Sequence, residues 1–68
     1  MNVFYNNLYN AVKKMNFDKP MYNGDILKKA RVGNGNPYTI VDVLKRLVEE
    51  GTLVEMVDKY GFTKYARA

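Results

Sequence analysis

The groups able to do covalent or proton chemistry in this chain are few in kind. Its 68 residues include no cysteine and no histidine. That removes thiolate nucleophiles, disulfides, Cys/His zinc sites and imidazole acid–base work. Seven Asp and Glu carboxylates are left for proton or metal chemistry. Gly33-x-Gly35 is a fragment of a phosphate-cradling loop, but it follows a helical segment rather than a strand. It also lacks a third glycine and a Gly-Lys-Ser/Thr ending, so it is not read as a nucleotide site. The expectation is a protein that binds rather than catalyses, with no cofactor, no metal and no small-molecule ligand.

The cations are the more informative groups. Eleven Lys and Arg against seven Asp and Glu give a net charge of +4 and a pI near 9.4. Residues 1–48 carry eight cations and three carboxylates, or +5, whereas residues 49–68 carry three and four, or −1. A field of that sign and placement favours a polyanionic partner, nucleic acid ahead of membrane. No stretch approaches the roughly 18–20 apolar residues of a membrane span. The opening Met-Asn-Val-Phe-Tyr lacks the basic start of a signal peptide. These features together predict a soluble, intracellular protein with no membrane partner.

A chain this short suits one domain over 1–68, since at about this length folding buries only roughly 60% of the surface the unfolded chain exposes. The mix of 47% hydrophobic and 26% charged residues is that of a chain able to fold alone. Phe4, Leu8, Ala11, Val12 and Met15 form one stripe at helical spacing, predicting a first helix over 3–16. Pro20 breaks the pattern, and Met21-Tyr22 reads as a short extended piece. Asn23 suits an N-cap and Asp25 a first turn, predicting a second helix over 24–32. Ile26, Leu27 and Ala30 lie on its inner face, and Gly33-Asn34-Gly35 supplies the turn at its exit.

Asn36-Pro37 reads as a cap followed by proline at the first helical position. Ile40, Val43, Leu44, Leu47 and Val48 then recur at i, i+3, i+4, i+7 and i+8 up to Gly51, predicting a third helix over 37–50. The opposite face of that helix carries Tyr38, Thr39, Asp42, Lys45, Arg46 and Glu49. Thr52–Val57 and Phe62–Arg67, joined by Lys59-Tyr60-Gly61, read as a hairpin over 52–67. Its first strand alternates too imperfectly to say whether Leu53, Glu55 and Val57 or Val54 and Met56 face the helices. A two-strand hairpin is marginal alone, so it must lie on the helices, and Met21-Tyr22 can extend its edge.

In this order the chain resembles the winged-helix variant of the helix-turn-helix family, over essentially its whole length. The residues that carry the likeness are Ile26-Leu27-Lys28-Lys29-Ala30 for the second helix and Asn36 through Gly51 for the third, with Leu44-Lys45-Arg46-Leu47-Val48-Glu49-Glu50-Gly51 especially similar. Leu53 through Tyr65 looks like the wing. The resemblance implies an α+β fold, a three-helix winged helix-turn-helix with a small antiparallel hairpin wing. It further implies double-stranded DNA as partner, with the third helix in the major groove. Candidates for base contact are then Asn36, Tyr38, Thr39, Asp42, Lys45 and Arg46. Candidates for phosphate contact are Lys28, Lys29, Arg31 and Asn34, with Lys59, Tyr60, Lys64 and Arg67 from the wing.

The activity so implied is that of a small transcriptional regulator. Such a domain alone reads only a few base pairs, so a homodimer or a co-bound regulatory protein is expected, with Val3 and Tyr9 as contact candidates. Small size and abundant Asn, Lys and Tyr fit a viral or mobile-element source. Two other readings stand beside this one. A ribonucleoprotein role rests on the likeness of Leu53 through Tyr60 and Tyr65-Ala66-Arg67 to winged-helix proteins of the small ribosomal subunit, although the lysine-rich extension of those proteins is missing. Alternatively, the fold is used only to bind protein.

Overall fold

Three amphipathic stripes close on one another and on the root of the hairpin, and that closure sets the architecture. The computed structural model describes residues 3–31 and 37–68. Its elements run α1 (Val3–Lys14), β1 (Met21–Tyr22), α2 (Asn23–Ala30), α3 (Pro37–Glu49), β2 (Leu53–Val57) and β3 (Thr63–Arg67). The fold is α+β: three helices and a hairpin wing. The expected Gly33-Asn34-Gly35 turn and the Asn36 cap lie outside the described residues.

Leu8, Val12 and Met15 from α1 and its exit meet Ile26 from α2, Ile40, Val43, Leu44 and Leu47 from α3, and Leu53 from β2 in one buried cluster. Each helix contributes its apolar stripe, as the spacing predicts. The sheet has the order β1-β3-β2 with both pairings antiparallel, so Met21-Tyr22 does extend the hairpin, beside β3. Leu53 alone on β2 is buried, which places Leu53, Glu55 and Val57 on the helix side and Val54 and Met56 on the other. Glu55 and Val57 run past the end of the core and stay exposed.

The helix ends depart from the sequence reading in instructive ways. α1 stops at Lys14, short of Asn16, because its last carbonyls find other donors. The Met15 amide bonds the Val12 carbonyl at 3.1 Å and the Arg67 guanidinium bonds that of Lys13 at 2.7 Å, while past the helix end the Lys29 ammonium bonds the Asn16 carbonyl at 2.7 Å. α2 begins at Asn23 rather than after it. Tyr22, held extended (φ −77°, ψ 157°) in the ladder with Lys64, occupies the cap position without a side-chain cap. Asn23 therefore does not cap the helix, and its Oδ1 accepts only from the neighbouring Gly24 amide at 2.7 Å.

α2 also ends early, at Ala30, because Arg31 takes a left-handed conformation (φ 54°, ψ 37°). A non-glycine residue there costs on the order of 1–2 kcal/mol. α3 ends as its sequence predicts, with Gly51 at φ 81°. The Gly51 amide bonds the Val48 carbonyl (3.0 Å) and the Thr52 amide bonds that of Leu47 (3.0 Å), the paired pattern of a Schellman stop. That stop aims the chain directly into β2.

Candidate nucleic-acid interface

At 100° per residue, Tyr38, Asp42, Lys45 and Glu49 fall on one line along α3, directly opposite the buried stripe. All four are exposed, Tyr38 by 75%. The hairpin does not cover this line. Among the described residues Lys45 makes no ion pair, so its ammonium is available to an outside acceptor.

Two of the base-contact candidates turn away from that line. Thr39 and Arg46 sit about a quarter turn round the helix, in the row Thr39, Val43, Arg46 and Glu50 that faces α1. Thr39 is only 8% exposed. The Arg46 guanidinium lies 4.2 Å from the Tyr9 ring centre, and its Nε donates to Glu50 at 3.2 Å. The Tyr9 hydroxyl donates to the same Glu50 carboxylate. That bond first, and Arg46 second, hold the Glu50 carboxyl below its usual range. Tyr5 also bonds Arg46. Arg46 is thus a strut between α1 and α3. Tyr9, with Arg46 and Lys13 over its ring, is occupied and offers little to a dimer partner, whereas Val3 is exposed.

The phosphate candidates divide in the same way. Lys28 and Arg31 are exposed on and just after α2, whereas Lys29 bonds the Asn16 carbonyl. Arg67 is committed to α1 through Lys13, and Lys64 lies 4.9 Å from the Tyr22 ring centre. At the wing tip Lys59 stands over the exposed ring of Tyr60 at 5.1 Å. Asn34 and Asn36 lie outside the described residues. Among the described phosphate candidates Lys28 and Arg31 carry no contact of this kind, while Lys59 and Lys64 each rest on a tyrosine ring, that of Lys59 being exposed.

The wing turn is built on Asp58. Its carboxylate accepts from the Tyr60 amide (2.9 Å), the Phe62 amide (3.0 Å) and the Tyr22 hydroxyl, tying β1 to the turn. The Tyr22 bond, then the backbone amides, hold this carboxyl below its ordinary value, and the same Tyr22–Asp58 bond pushes the Tyr22 phenol up. A carboxyl depressed in the folded state stabilises it fully above the unfolded value of about 3.9. That stabilisation is lost as pH falls through the lower, folded value. Urea unfolding between about pH 5 and pH 2 should therefore show falling stability, and Asp58→Asn should flatten the slope, leaving the part due to Glu50. Equal slopes in the two proteins would remove Asp58 as the anchor of the turn.

Sequence reasoning missed the apolar side of this surface. Val41 is 43% exposed beside the α3 line, and Phe62, 63% exposed, meets Tyr22 edge-on at 6.3 Å. With Asn23, Gly61 and Thr63 they line an open groove of about 350 Å³ between α3, β1 and the turn end of the wing. The available signal was that Val41 breaks step with the stripe of Ile40, Val43 and Leu44. Among the described residues no cluster of acidic side chains could hold a metal ion, and no helix is long and apolar enough to cross a membrane.

No family model, characterised protein or solved structure matches this chain. What the site can do is therefore argued from its own geometry. An exposed helix line with Lys45 at its centre, together with an exposed basic helix end and Lys59 at the wing tip, has the sign to meet a grooved polyanion.

Proposed function

We propose that this protein binds double-stranded DNA sequence-specifically, as a regulator of transcription. α3 enters the major groove, and the wing lies on the backbone or the minor groove. The observation that carries this reading is the line Tyr38–Asp42–Lys45 on α3, exposed along its length. The major groove, about 12 Å wide, admits one helix presented in this way. Lys45 donates to guanine O6 or N7, and Tyr38 at the helix start reaches a phosphate or a base. Asp42 accepts from cytosine N4, the role open to a carboxylate among phosphates. Lys28, Arg31 and Lys59 contact the backbone on either side.

Salt dependence tests the electrostatic half of this proposal. Three cations meeting backbone phosphates give a log–log slope of Kd against salt of about 2.7 in magnitude, and Lys28→Ala should lower it by about 0.9 while weakening all duplexes alike. The exposed Val41 and Phe62 beside Asp42 and Glu49 support a second reading, in which the same face binds protein alone. A slope near zero on any duplex would favour that reading over DNA binding.

A further inference from the structure

β2 is the outer strand of the sheet, and its free edge is unusually unprotected. The ladder to β3 is one-to-one over all five pairs from Leu53↔Arg67 to Val57↔Thr63, with no bulge to twist the edge away. It is bracketed by the Ala68 amide on the Thr52 carbonyl (3.1 Å) and the Asp58 amide on the Phe62 carbonyl (2.9 Å). Hydrogen-bonded pairs alternate along an antiparallel ladder. Thr52, Val54, Met56 and Asp58 therefore direct their backbone groups to β3, and Leu53, Glu55 and Val57 direct theirs outward. Natural edges are blunted by charged side chains, lysine above all, by proline or by bulges. Leu53-Val54-Glu55-Met56-Val57 has no lysine, proline or bulge and a single charge, that of Glu55, and Val54, Met56 and Val57 are exposed.

We infer that the β2 edge pairs antiparallel with β2 of a second copy of this chain, joining two three-stranded sheets into one. The outward groups of Glu55 and Val57 form a pattern complementary to itself about a two-fold axis, with each donor meeting an acceptor. In the register centred on Met56, Glu55 exchanges both backbone bonds with Val57 of the other copy, and the Met56 side chains meet at the axis. The register centred on Glu55 sets two carboxylates opposite one another and is disfavoured. Charge selects the occupant. The sole charged side chain on β2 is acidic, whereas the chain as a whole is at +4, so this edge repels a polyanion and is where two basic copies approach with least repulsion. The inference does not depend on DNA binding.

A strand-to-strand contact of this length falls below the roughly 1,200 Å² of a stable interface, so the pair forms at about 0.1–1 mM. Sedimentation equilibrium should show the apparent mass rising from 7.9 kDa toward twice that value across this range. Amide exchange at Glu55 and Val57 should slow by about two- to fourfold between about 20 µM and 1 mM. Met56→Lys places two cations at the axis while keeping the bonds to β3, and Val57→Pro removes an outward donor; each should return the protein to monomer. A mass of 7.9 kDa at about 1 mM overturns the inference. So does a dimer that persists in the Met56→Lys protein, or one whose formation leaves Glu55 and Val57 exchange unchanged, because either would place the contact elsewhere.

Discussion

Replacing Leu44 with alanine should destabilise the protein by about 2–5 kcal/mol. Leu44 is fully buried where α3 meets the other helices and the root of β2, so truncation loses apolar transfer energy and leaves a cavity that the surrounding helices fill only in part. A domain of this length has a total stability of roughly 3–10 kcal/mol, so the loss is a large fraction of the whole. At roughly 4–8 °C per kcal/mol, thermal unfolding should move down by at least about 8 °C, and the variant can be unfolded at 37 °C. Lys45→Ala, one residue along on the exposed line, should leave the melting temperature nearly where it was. If the two variants melt alike, the rotation of α3 about its axis is wrong and every side chain assigned to the DNA face moves with it.

The second large effect is on base preference. Lys45→Ala should reduce discrimination at the base pair it contacts by roughly 1–3 kcal/mol, about 5- to 150-fold, with little change in fold. Arg46→Ala makes the informative contrast. Arg46 neighbours Lys45 in sequence but is stacked on Tyr9 and paired with Glu50. Its loss should loosen α1 from α3 and leave base preference intact. Competition binding against a panel of single-base variants, alongside thermal melts, separates the two roles. Relaxed preference in Arg46→Ala with no change in melting would return Arg46 to the DNA face.

The reason Arg46 and Lys45 differ was not visible in the sequence. Both are cations on the polar side of an amphipathic helix, and periodicity locates the apolar stripe without saying how far round the cylinder the neighbouring helix reaches. α1 covers one flank of α3, and it does so with tyrosines, whose rings accept a guanidinium and whose hydroxyls accept or donate. Thr39 on the same flank is buried, since a threonine there can be buried as readily as solvated. The basic side chains of Lys29 and Arg67 likewise read as surface charge. Their partners are helix-end carbonyls of Asn16 and Lys13, brought near only by the tertiary fold.

Local signals with a mechanism fared better. Gly51 after the long apolar stripe does stop α3 in the left-handed conformation, and Met21-Tyr22 after Pro20 does form a strand beside the hairpin. α2 is closed by Arg31 in the left-handed conformation, ahead of Gly33-Asn34-Gly35, which lies outside the described residues. No propensity rule selects an arginine for that conformation. On β2, burial reaches only Leu53, so the alternation that would reveal the inner face was too short to detect. Strand position mattered more than residue type there.

Selection of bound duplexes from a random pool at near-physiological salt tests the DNA-binding proposal most directly. The account predicts enrichment of a short motif whose preference at one base pair disappears when the same selection is run with the Lys45→Ala protein. Recovery of no motif, together with equal retention of all duplexes by the unsubstituted protein and its Lys45→Ala variant, would contradict it.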